Sequence, residues 1–234
     1  MPIPKSPPPT DAPSDLHYYF AVDGGDYKKF GPWLRKESVL TGLAYLLPRK
    51  DKNGRFLELL KGHQGRLMLD SGGFQNFTGA ENITFDEWSG FVAEHAGLFT
   101  EYVQLDDIAN RDNTLDLYAQ ALKKGLAPHF VDHLTRTGER DEDVAAIWKS
   151  QAKLAVSGFA KTLPGQTPFP VLPGGVFAAF KTAMEKAREV DTVIHLLAAG
   201  SLRKHLPYID RVHSVDSAAW DKSVAFGSVL ISGF

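Results

Sequence analysis

Short apolar runs alternate with amphipathic stretches along most of this chain, and each run closes on a glycine or a polar residue. Apolar runs of this kind predict buried strands, and the stretches between them carry helical periodicity. The predicted strands are His17 to Val22, Gly42 to Leu47, Arg66 to Asp70, Glu101 to Asp106, Leu126 to Val131, Leu154 to Gly158, Thr192 to Ala198 and Arg211 to Asp216. The predicted helices are Thr84 to Leu98, Asn113 to Lys124, Arg140 to Gln151 and Gly175 to Val190, with shorter pieces near Trp33 to Val39, Phe56 to Lys61 and Leu202 to Leu206.

Strands that alternate with helices predict an α/β fold, here a (β/α)8 barrel of the TIM type with its active site at the carboxyl ends of the strands. Acids and glycines close or follow the predicted strands at Asp23, Asp70, Asp106, Asp132 with His133, Gly158, Gly200 and Asp216. A ring of carboxylates is therefore expected around one mouth of the barrel. An open doubly wound sheet is the alternative, since the helices are few and short for a full barrel.

Composition predicts one domain. The chain has 234 residues, of which 43% are hydrophobic and 23% charged, a size and balance typical of a single globular unit. We assign residues 1–14 to a proline-rich arm and residues 15–234 to one barrel domain. The absence of cysteine excludes disulfides and thiolate zinc sites and favours a reducing compartment. We expect a cytoplasmic protein, in the host cytoplasm if it is viral, with no membrane partner.

The segment from Leu69 to Gln75, which reads LDSGGFQ, carries the most chemical information. Its paired glycines allow a sharp turn and a close approach of the backbone to a ligand. Phe74 could stack on a flat polar ring such as a nucleobase, while Asp70 and Gln75 address the edges of that ring. Taken alone, the glycine pair is more typical of an ordinary turn after a strand.

The whole segment resembles the Asp-Ser-Gly-Gly-Phe/Tyr-Gln motif of the tRNA-guanine transglycosylase superfamily. Members of that family exchange a guanine base for a 7-deazaguanine on an intact nucleic acid. A second segment, YVQLDD over residues 102–107, is similar to the family's strand that ends in a base-recognising Asp. The matching residue is Asp106, and we interpret Asp107 as a loop acid or helix cap.

Two later segments also resemble the family. LAVSGFA over residues 154–160 is similar to a strand end whose backbone contacts the base, and it matches at Ser157, Gly158 and Phe159. A core strand with a tight exit is the alternative for this piece. HLLAAG over residues 195–200 and VHSVDS over residues 212–217 resemble the closing strands of the family, where Leu197 would cover the base and Asp216 would act as nucleophile. We interpret the histidines of these two segments as core or hydrogen-bonded residues.

The resemblance implies a base-exchange pentosyltransferase. Asp216 would attack the sugar and Asp70 would transfer protons, as two carboxylates do in retaining glycoside cleavage. The implied base-binding residues are Ser71, Gly72, Gly73, Phe74, Gln75, Asp106, Ser157, Gly158, Phe159 and Leu197. A free 7-deazaguanine, such as preQ0 or preQ1, would capture the covalent intermediate. We expect no cofactor and no metal, because the family's zinc subdomain needs cysteines and the chain has none.

The reduced length and the lack of a zinc subdomain favour DNA over tRNA, as in the compact DNA transglycosylases of the DpdA group, found in bacteria and their viruses. A net charge of −2 argues against nonspecific wrapping of nucleic acid. Candidate backbone contacts are Arg49, Lys50, Lys52, Arg55, Lys161, Arg203 and Lys204, although charged runs are usually solvated faces. A tRNA enzyme, a non-catalytic nucleic-acid-binding partner subunit and a base-releasing glycosidase are the alternatives. The oligomeric state stays open.

Overall fold

The computed structural model describes residues 17–22, 32, 41–44, 49, 54–133, 141–157, 192–198 and 212–217. The strands are β1 (His17–Val22), β2 (Thr41–Ala44), β3 (Leu67–Asp70), β4 (Glu101–Tyr102), β5 (Phe130–His133), β6 (Lys153–Ser157), β7 (Val193–Leu196) and β8 (Ser214–Ser217). The helices are α1 (Arg55–Lys61), α2 (Gly73–Phe77), α3 (Phe85–Glu94), α4 (Arg111–Lys123) and α5 (Asp141–Ser150). Several predicted features lie outside these residues: the arm 1–14, the pieces 33–39 and 202–206, the helix 175–190, Asp23 and Gly200.

The strands form one parallel sheet in the order β4-β3-β2-β1-β8-β7-β6-β5. The two ends of that order meet, because Val103 after β4 bridges to His129 before β5 in parallel register. The Gln104 amide donates to the His129 carbonyl at 3.1 Å, and the His129 amide donates to the Tyr102 carbonyl at 2.9 Å. These contacts close the sheet into a (β/α)8 barrel, so the prediction of a barrel is confirmed and the open sheet is wrong.

Side-chain alternation divides the core into two layers. The inner layer fills the barrel and consists of Tyr19, Met68, Val103, Val131 and Ala155. The outer layer lies between the strands and the helices, and its larger members are Leu60, Leu67, Leu69 and Trp88. On β3, Met68 therefore faces inward and its neighbours face outward. Asp70 lies two residues beyond Met68, which places it on the inner face at the carboxyl end of the strand.

The amino-terminal end of the barrel is closed by a buried polar cluster around Glu101. Its carboxylate accepts hydrogen bonds from the Tyr19 hydroxyl at 3.1 Å, from His129 Nε2 at 3.1 Å, and from the Arg66 guanidinium. Burial and the nearby His195 lower the pKa of His129 to about 3. His129 is therefore neutral at physiological pH. The cluster satisfies polar groups at the end of the barrel opposite the carboxyl-terminal mouth.

Local sequence explains where two of the helices begin. Thr84 caps α3 as predicted, since its hydroxyl accepts from the Glu87 amide at 3.3 Å and the Glu87 carboxylate accepts from the Thr84 amide at 3.0 Å. This is a capping box. Asn110 caps α4 in a similar way, through a 3.1 Å bond from the Asn113 amide to its side-chain oxygen. Within the described part of the chain, none of the helices is long and apolar enough to cross a membrane.

Candidate active site

The two adjacent glycines after β3 have different physical roles. Gly72 has φ 78° and ψ 16°, a left-handed conformation that precedes α2 and favours glycine. Gly73 lies so close to Asp106 that a β-carbon there would stand 2.2 Å from Oδ1 of Asp106. The first glycine therefore turns the chain. The second brings the backbone against a buried carboxylate, and the segment continues as the short helix α2 rather than as a simple turn.

Asp106 is buried and held on both carboxylate oxygens. Its Oδ1 accepts a hydrogen bond from the Ser71 hydroxyl at 3.0 Å, and its Oδ2 accepts from His133 Nε2 at 2.6 Å. The Ser71 oxygen in turn accepts from the Gly73 amide at 3.0 Å. A carboxylate oxygen can accept two hydrogen bonds. Among the residues that the structure describes, one acceptor position on each Asp106 oxygen is left for a ligand, and β5 and the turn after β3 fix the orientation of the carboxylate.

Asp70 is solvent-accessible at the mouth, yet it is surrounded by protein and by other acids. Burial among protein atoms raises the pKa of its carboxyl to about 7, and the negative charges of Asp216 and Asp106 act in the same direction. Hydrogen bonds from the Ser71 and Gly72 amides act against this rise. Asp70 is therefore close to half-protonated at neutral pH, which suits a group that both gives and takes a proton.

Asp216 faces the barrel interior from β8, where its side chain is 19% exposed. Its Oδ1 accepts hydrogen bonds from His195 Nε2 at 3.1 Å and from the Ala198 amide at 2.9 Å. Ala198 has φ 53°, a left-handed conformation that costs a residue with a β-carbon about 1 to 2 kcal/mol. That conformation presents the Ala198 amide to the carboxylate. Two hydrogen-bond donors, one on β7 and one just after it, therefore fix the carboxylate of Asp216.

His195 is a site residue whose role the sequence did not predict. Its ring is fully buried beneath Asp216, and its Nδ1 lies 2.8 Å from the Ser214 hydroxyl. His195 is a buried, hydrogen-bonded histidine, as the sequence predicts, but one of its hydrogen bonds is to Asp216, the predicted nucleophile. The signal was present in the alternation of β7, since His195 lies two residues before Leu197 and therefore shares its face.

The two apolar side chains of the predicted base sandwich lie on α2 and after β7. Phe74 is 50% exposed. Leu197 is partly buried and packs against the inner layer of the barrel. Ser157 pairs with His133 across β6 and β5 and lies two residues beyond inward-facing Ala155, so it too faces the interior. The stacking of a base between Phe74 and Leu197 stays a prediction.

Asp132 was expected at the mouth, and this expectation is wrong. Val131 belongs to the inner layer, so the next residue points outward to the helices. The Asp132 carboxylate there accepts a hydrogen bond of 2.7 Å from the indole nitrogen of Trp148 on α5. His133 takes the inward position instead. The interpretation of Asp107 as a loop acid is confirmed, because its carboxylate accepts from the amides of Ala109 and Asn110 at 3.0 and 3.1 Å.

Other predicted site residues are less well placed or lie outside the described chain. The side-chain oxygen of Gln75 is buried and has no hydrogen-bond partner in the part of the chain that the structure describes. Arg49 donates to Glu81 at 2.8 Å, so a phosphate would compete with an acid for it. Arg55 is exposed at the start of α1, on the same side as the mouth. The residues outside the described ranges are Lys50, Lys52, Gly158, Phe159, Lys161, Arg203 and Lys204.

The chemistry of the mouth is that of carboxylates with imidazole partners. Across the ranges given above, no group of three or more His, Asp and Glu side chains is arranged to hold a metal ion. The arrangement instead supplies a fixed carboxylate, a carboxyl that titrates near neutrality, and a buried acceptor pair. Those three elements can attack an electrophilic carbon, move a proton, and bind adjacent N–H donors.

Comparison with known proteins identifies no family. No family model matches the sequence, and no curated protein matches it. One variant of the tryptophan synthase α-subunit from Pyrococcus furiosus is 12% identical to this chain, with a TM-score of 0.48, and the match covers 90% of each chain. A second variant is 13% identical, with a TM-score of 0.49, over 90% of this chain and 89% of that one. A protein from Burkholderia cenocepacia J2315 described as a lyase/mutase is 12% identical over 92% of this chain and 81% of that one, with a TM-score of 0.48. Likenesses this distant carry no information about activity.

Proposed function

We propose that this chain is a guanine transglycosylase, which exchanges guanine in nucleic acid for a free 7-deazaguanine base through a covalent aspartyl-sugar intermediate. The observation that carries the proposal is the pairing of Asp70 with Asp216 at the carboxyl-terminal mouth of the barrel. One of these acids titrates near neutrality under the charge of the other, and the other is held by two donors. Retaining transfer at a sugar carbon needs such a pair.

In the first step, the Asp216 carboxylate attacks C1′ of the target nucleotide. The bond from C1′ to N9 of guanine breaks, and its electron pair stays on the base. Asp70 in its protonated form gives its proton to the departing guanine. The products are a sugar ester of Asp216, free guanine and an ionised Asp70.

In the second step, the ionised Asp70 takes the N9 proton of an incoming 7-deazaguanine. N9 then attacks C1′, the ester bond breaks, and Asp216 recovers its negative charge. The ester carries no charge, so one of the two charges that raise the pKa of Asp70 is absent while the intermediate exists. The pKa of Asp70 therefore falls as the ester forms, which favours transfer of its proton to the departing guanine, and the ionised form that results is then present to take the N9 proton.

Base recognition is assigned to Asp106 and Phe74. The acceptor positions on Asp106 that no described residue occupies suit the adjacent N1–H and N2–H donors of guanine, which 7-deazaguanines share. Ser71 and His133 keep the carboxylate oriented for that contact. The exposed ring of Phe74 offers a stacking surface worth about 1 to 3 kcal/mol per base. A free base and a base flipped out of a polymer would use the same contacts in turn.

DNA is the favoured polymer. The tRNA enzymes of the family that the sequence resembles hold their substrate partly through a cysteine-based zinc subdomain, and this chain has no cysteine. A DNA enzyme that flips one guanine out of a duplex needs fewer contacts to the backbone than an enzyme that embraces a folded tRNA.

The test is base exchange on both polymers. Purified protein is incubated with duplex DNA or with tRNA and with radiolabelled guanine, and label in the polymer is counted before and after Asp216→Asn. We expect label in DNA, no abasic sites, and complete loss of both exchange and protein–DNA adduct in the variant. Asp116→Asn changes an exposed acid on α4 and is the matched control, with wild-type exchange expected.

Three results would contradict parts of the proposal. Label in tRNA alone would make the chain a tRNA enzyme. Abasic sites without incorporated label would make it a base-releasing glycosidase. Binding of nucleic acid without label, adduct or abasic sites, by protein shown to be folded, would indicate a non-catalytic partner subunit.

A further inference from the structure

We infer that His195 is a positioning residue for Asp216. It fixes Oδ1 of the carboxylate and leaves Oδ2 as the oxygen that attacks the sugar, so this inference rests on the proposed function. Both hydrogen bonds to Asp216 reach the same atom, since His195 Nε2 lies 3.1 Å and the Ala198 amide 2.9 Å from Oδ1. Within the described ranges, no hydrogen bond reaches Oδ2. The two oxygens of this carboxylate are therefore not equivalent.

The hydrogen bonds of His195 define which ring nitrogen carries the proton. A carboxylate can only accept, so Nε2 must donate to Asp216. The other nitrogen, Nδ1, lies 2.8 Å from the Ser214 hydroxyl, which can donate to it. A neutral ring then satisfies both contacts. Ser214 and Asp216 lie two residues apart on β8, so one face of one strand supplies the partners of both nitrogens.

Packing prevents the His195 ring from turning away. The ring is fully buried. It meets the edge of the Tyr19 ring at a centroid distance of 5.9 Å and the His129 ring at 6.1 Å, both at steep angles. A buried ring with both nitrogens bonded has one favourable orientation, and it transmits that orientation to Asp216.

The asymmetry has a chemical consequence at each step of the exchange. Donors on Oδ1 stabilise negative charge on that oxygen in the resting enzyme and fix the plane of the carboxylate, which leaves Oδ2 as the oxygen without a donor from the described residues. When Oδ2 forms the ester, Oδ1 becomes its carbonyl oxygen and keeps both donors. When the ester breaks, the returning charge is again stabilised at Oδ1.

The first test compares two substitutions at position 195. His195→Phe keeps the volume and removes the donor, whereas His195→Gln keeps an N–H that can reach Oδ1. We expect kcat for guanine exchange to fall about 100-fold in His195→Phe, the loss typical of a misplaced reacting group, with KM for guanine unchanged. We expect His195→Gln to recover much of kcat. A residue needed only for packing would give the opposite order, because Phe suits an apolar interior better than Gln.

The second test does not depend on the activity. Nitrogen NMR of the full-length protein reports which ring nitrogen of His195 carries hydrogen, and we expect Nε2–H in the wild type and a mixture of both forms in Ser214→Ala. Wild-type Nδ1–H would overturn the inference even if exchange is active. Nε2–H in a protein that exchanges no base would refute the proposed function and leave the positioning of Asp216 standing. Ser214→Ala also serves if His195→Phe fails to fold, with a smaller loss of kcat expected.

Discussion

Asp70→Asn should stabilise this protein at neutral and alkaline pH, and the gain should vanish in acid. The reason is the environment of Asp70, where burial and the charges of Asp216 and Asp106 raise the pKa from the ordinary 3.8 to about 7. A carboxyl with a raised pKa keeps its proton in the folded protein at a pH where the unfolded chain has already lost it. Replacement by the neutral amide removes this penalty, and it does so whether or not the protein exchanges bases.

The sign follows from the protons bound in each state. Below the ordinary value of 3.8 the Asp70 carboxyl is protonated in both states, so Asp and Asn differ little. As the pH rises toward 7, the unfolded chain ionises Asp70 while the folded protein does not, and the free energy of unfolding of the wild type falls. Above that range both states are ionised, and the difference between variant and wild type is constant.

The size of the effect is limited by solvent. A group with no access to water would give about 4 kcal/mol over this range of pKa, at about 1.4 kcal/mol for each pH unit. Asp70 is exposed at the mouth of the barrel, and water screens much of its interaction with the other acids. We therefore expect Asp70→Asn to gain about 1 to 2 kcal/mol relative to the wild type between acid and alkaline pH.

Urea denaturation between about pH 4 and about pH 8 measures the difference directly. Asp116→Asn is the control, because it makes the same change of side chain at an exposed acid on the solvent side of α4, away from the mouth. If the free energies of unfolding of Asp70→Asn and the wild type differ by the same amount at every pH, the raised pKa of Asp70 is refuted. A variant that loses stability as the pH rises would refute it more strongly, since that is the behaviour of a carboxylate held by favourable partners.

Two further substitutions test the packing around the site by the same denaturation. Gly73→Ala should lower the free energy of unfolding by about 1 to 3 kcal/mol, because its β-carbon would stand 2.2 Å from an Asp106 oxygen. Gly90→Ala is the control, since a β-carbon there lies in open space on α3, and it should change the free energy of unfolding by no more than about 1 kcal/mol. Equal stability of the two glycine variants would contradict the close approach. Trp148→Phe should cost about 1 to 3 kcal/mol by leaving the buried Asp132 carboxylate without its indole donor, and a wild-type free energy of unfolding would refute that contact.

The sequence predicted the barrel because each strand of it reads as a short apolar run, and all eight runs overlap an observed strand. The predicted first residue of a strand differs from the observed one where irregular backbone precedes the strand. The fifth strand was predicted from Leu126, yet β5 starts at Phe130. Pro128 explains the difference, since a proline has no N–H to give to the sheet and the ladder starts beyond it.

That shift in β5 also explains the error at Asp132. The sequence shows an acid and a histidine side by side after an apolar run, but alternation allows only one of them to face the barrel interior. The choice depends on which residues of the strand pair with β6, and pairing follows from the closed sheet rather than from the local pattern. His133 pairs with Ser157 and faces inward.

The helix α2 was not predicted from the sequence, because the two glycines before and at its start are typical of a turn.

The three acids at the mouth differ in their hydrogen-bond partners. Three carboxyl groups meet at one mouth, and mutual repulsion makes it costly for all three to ionise together. Asp106 accepts hydrogen bonds from His133 and a hydroxyl, and Asp216 accepts them from His195 and an amide. Asp70 has backbone amides but, among the residues that the structure describes, no side-chain donor to offset its neighbours, and its pKa is raised to about 7. Two of the three acids are therefore each held by a buried histidine, and the third, Asp70, is the one whose raised pKa suits the proton transfer that we propose for it.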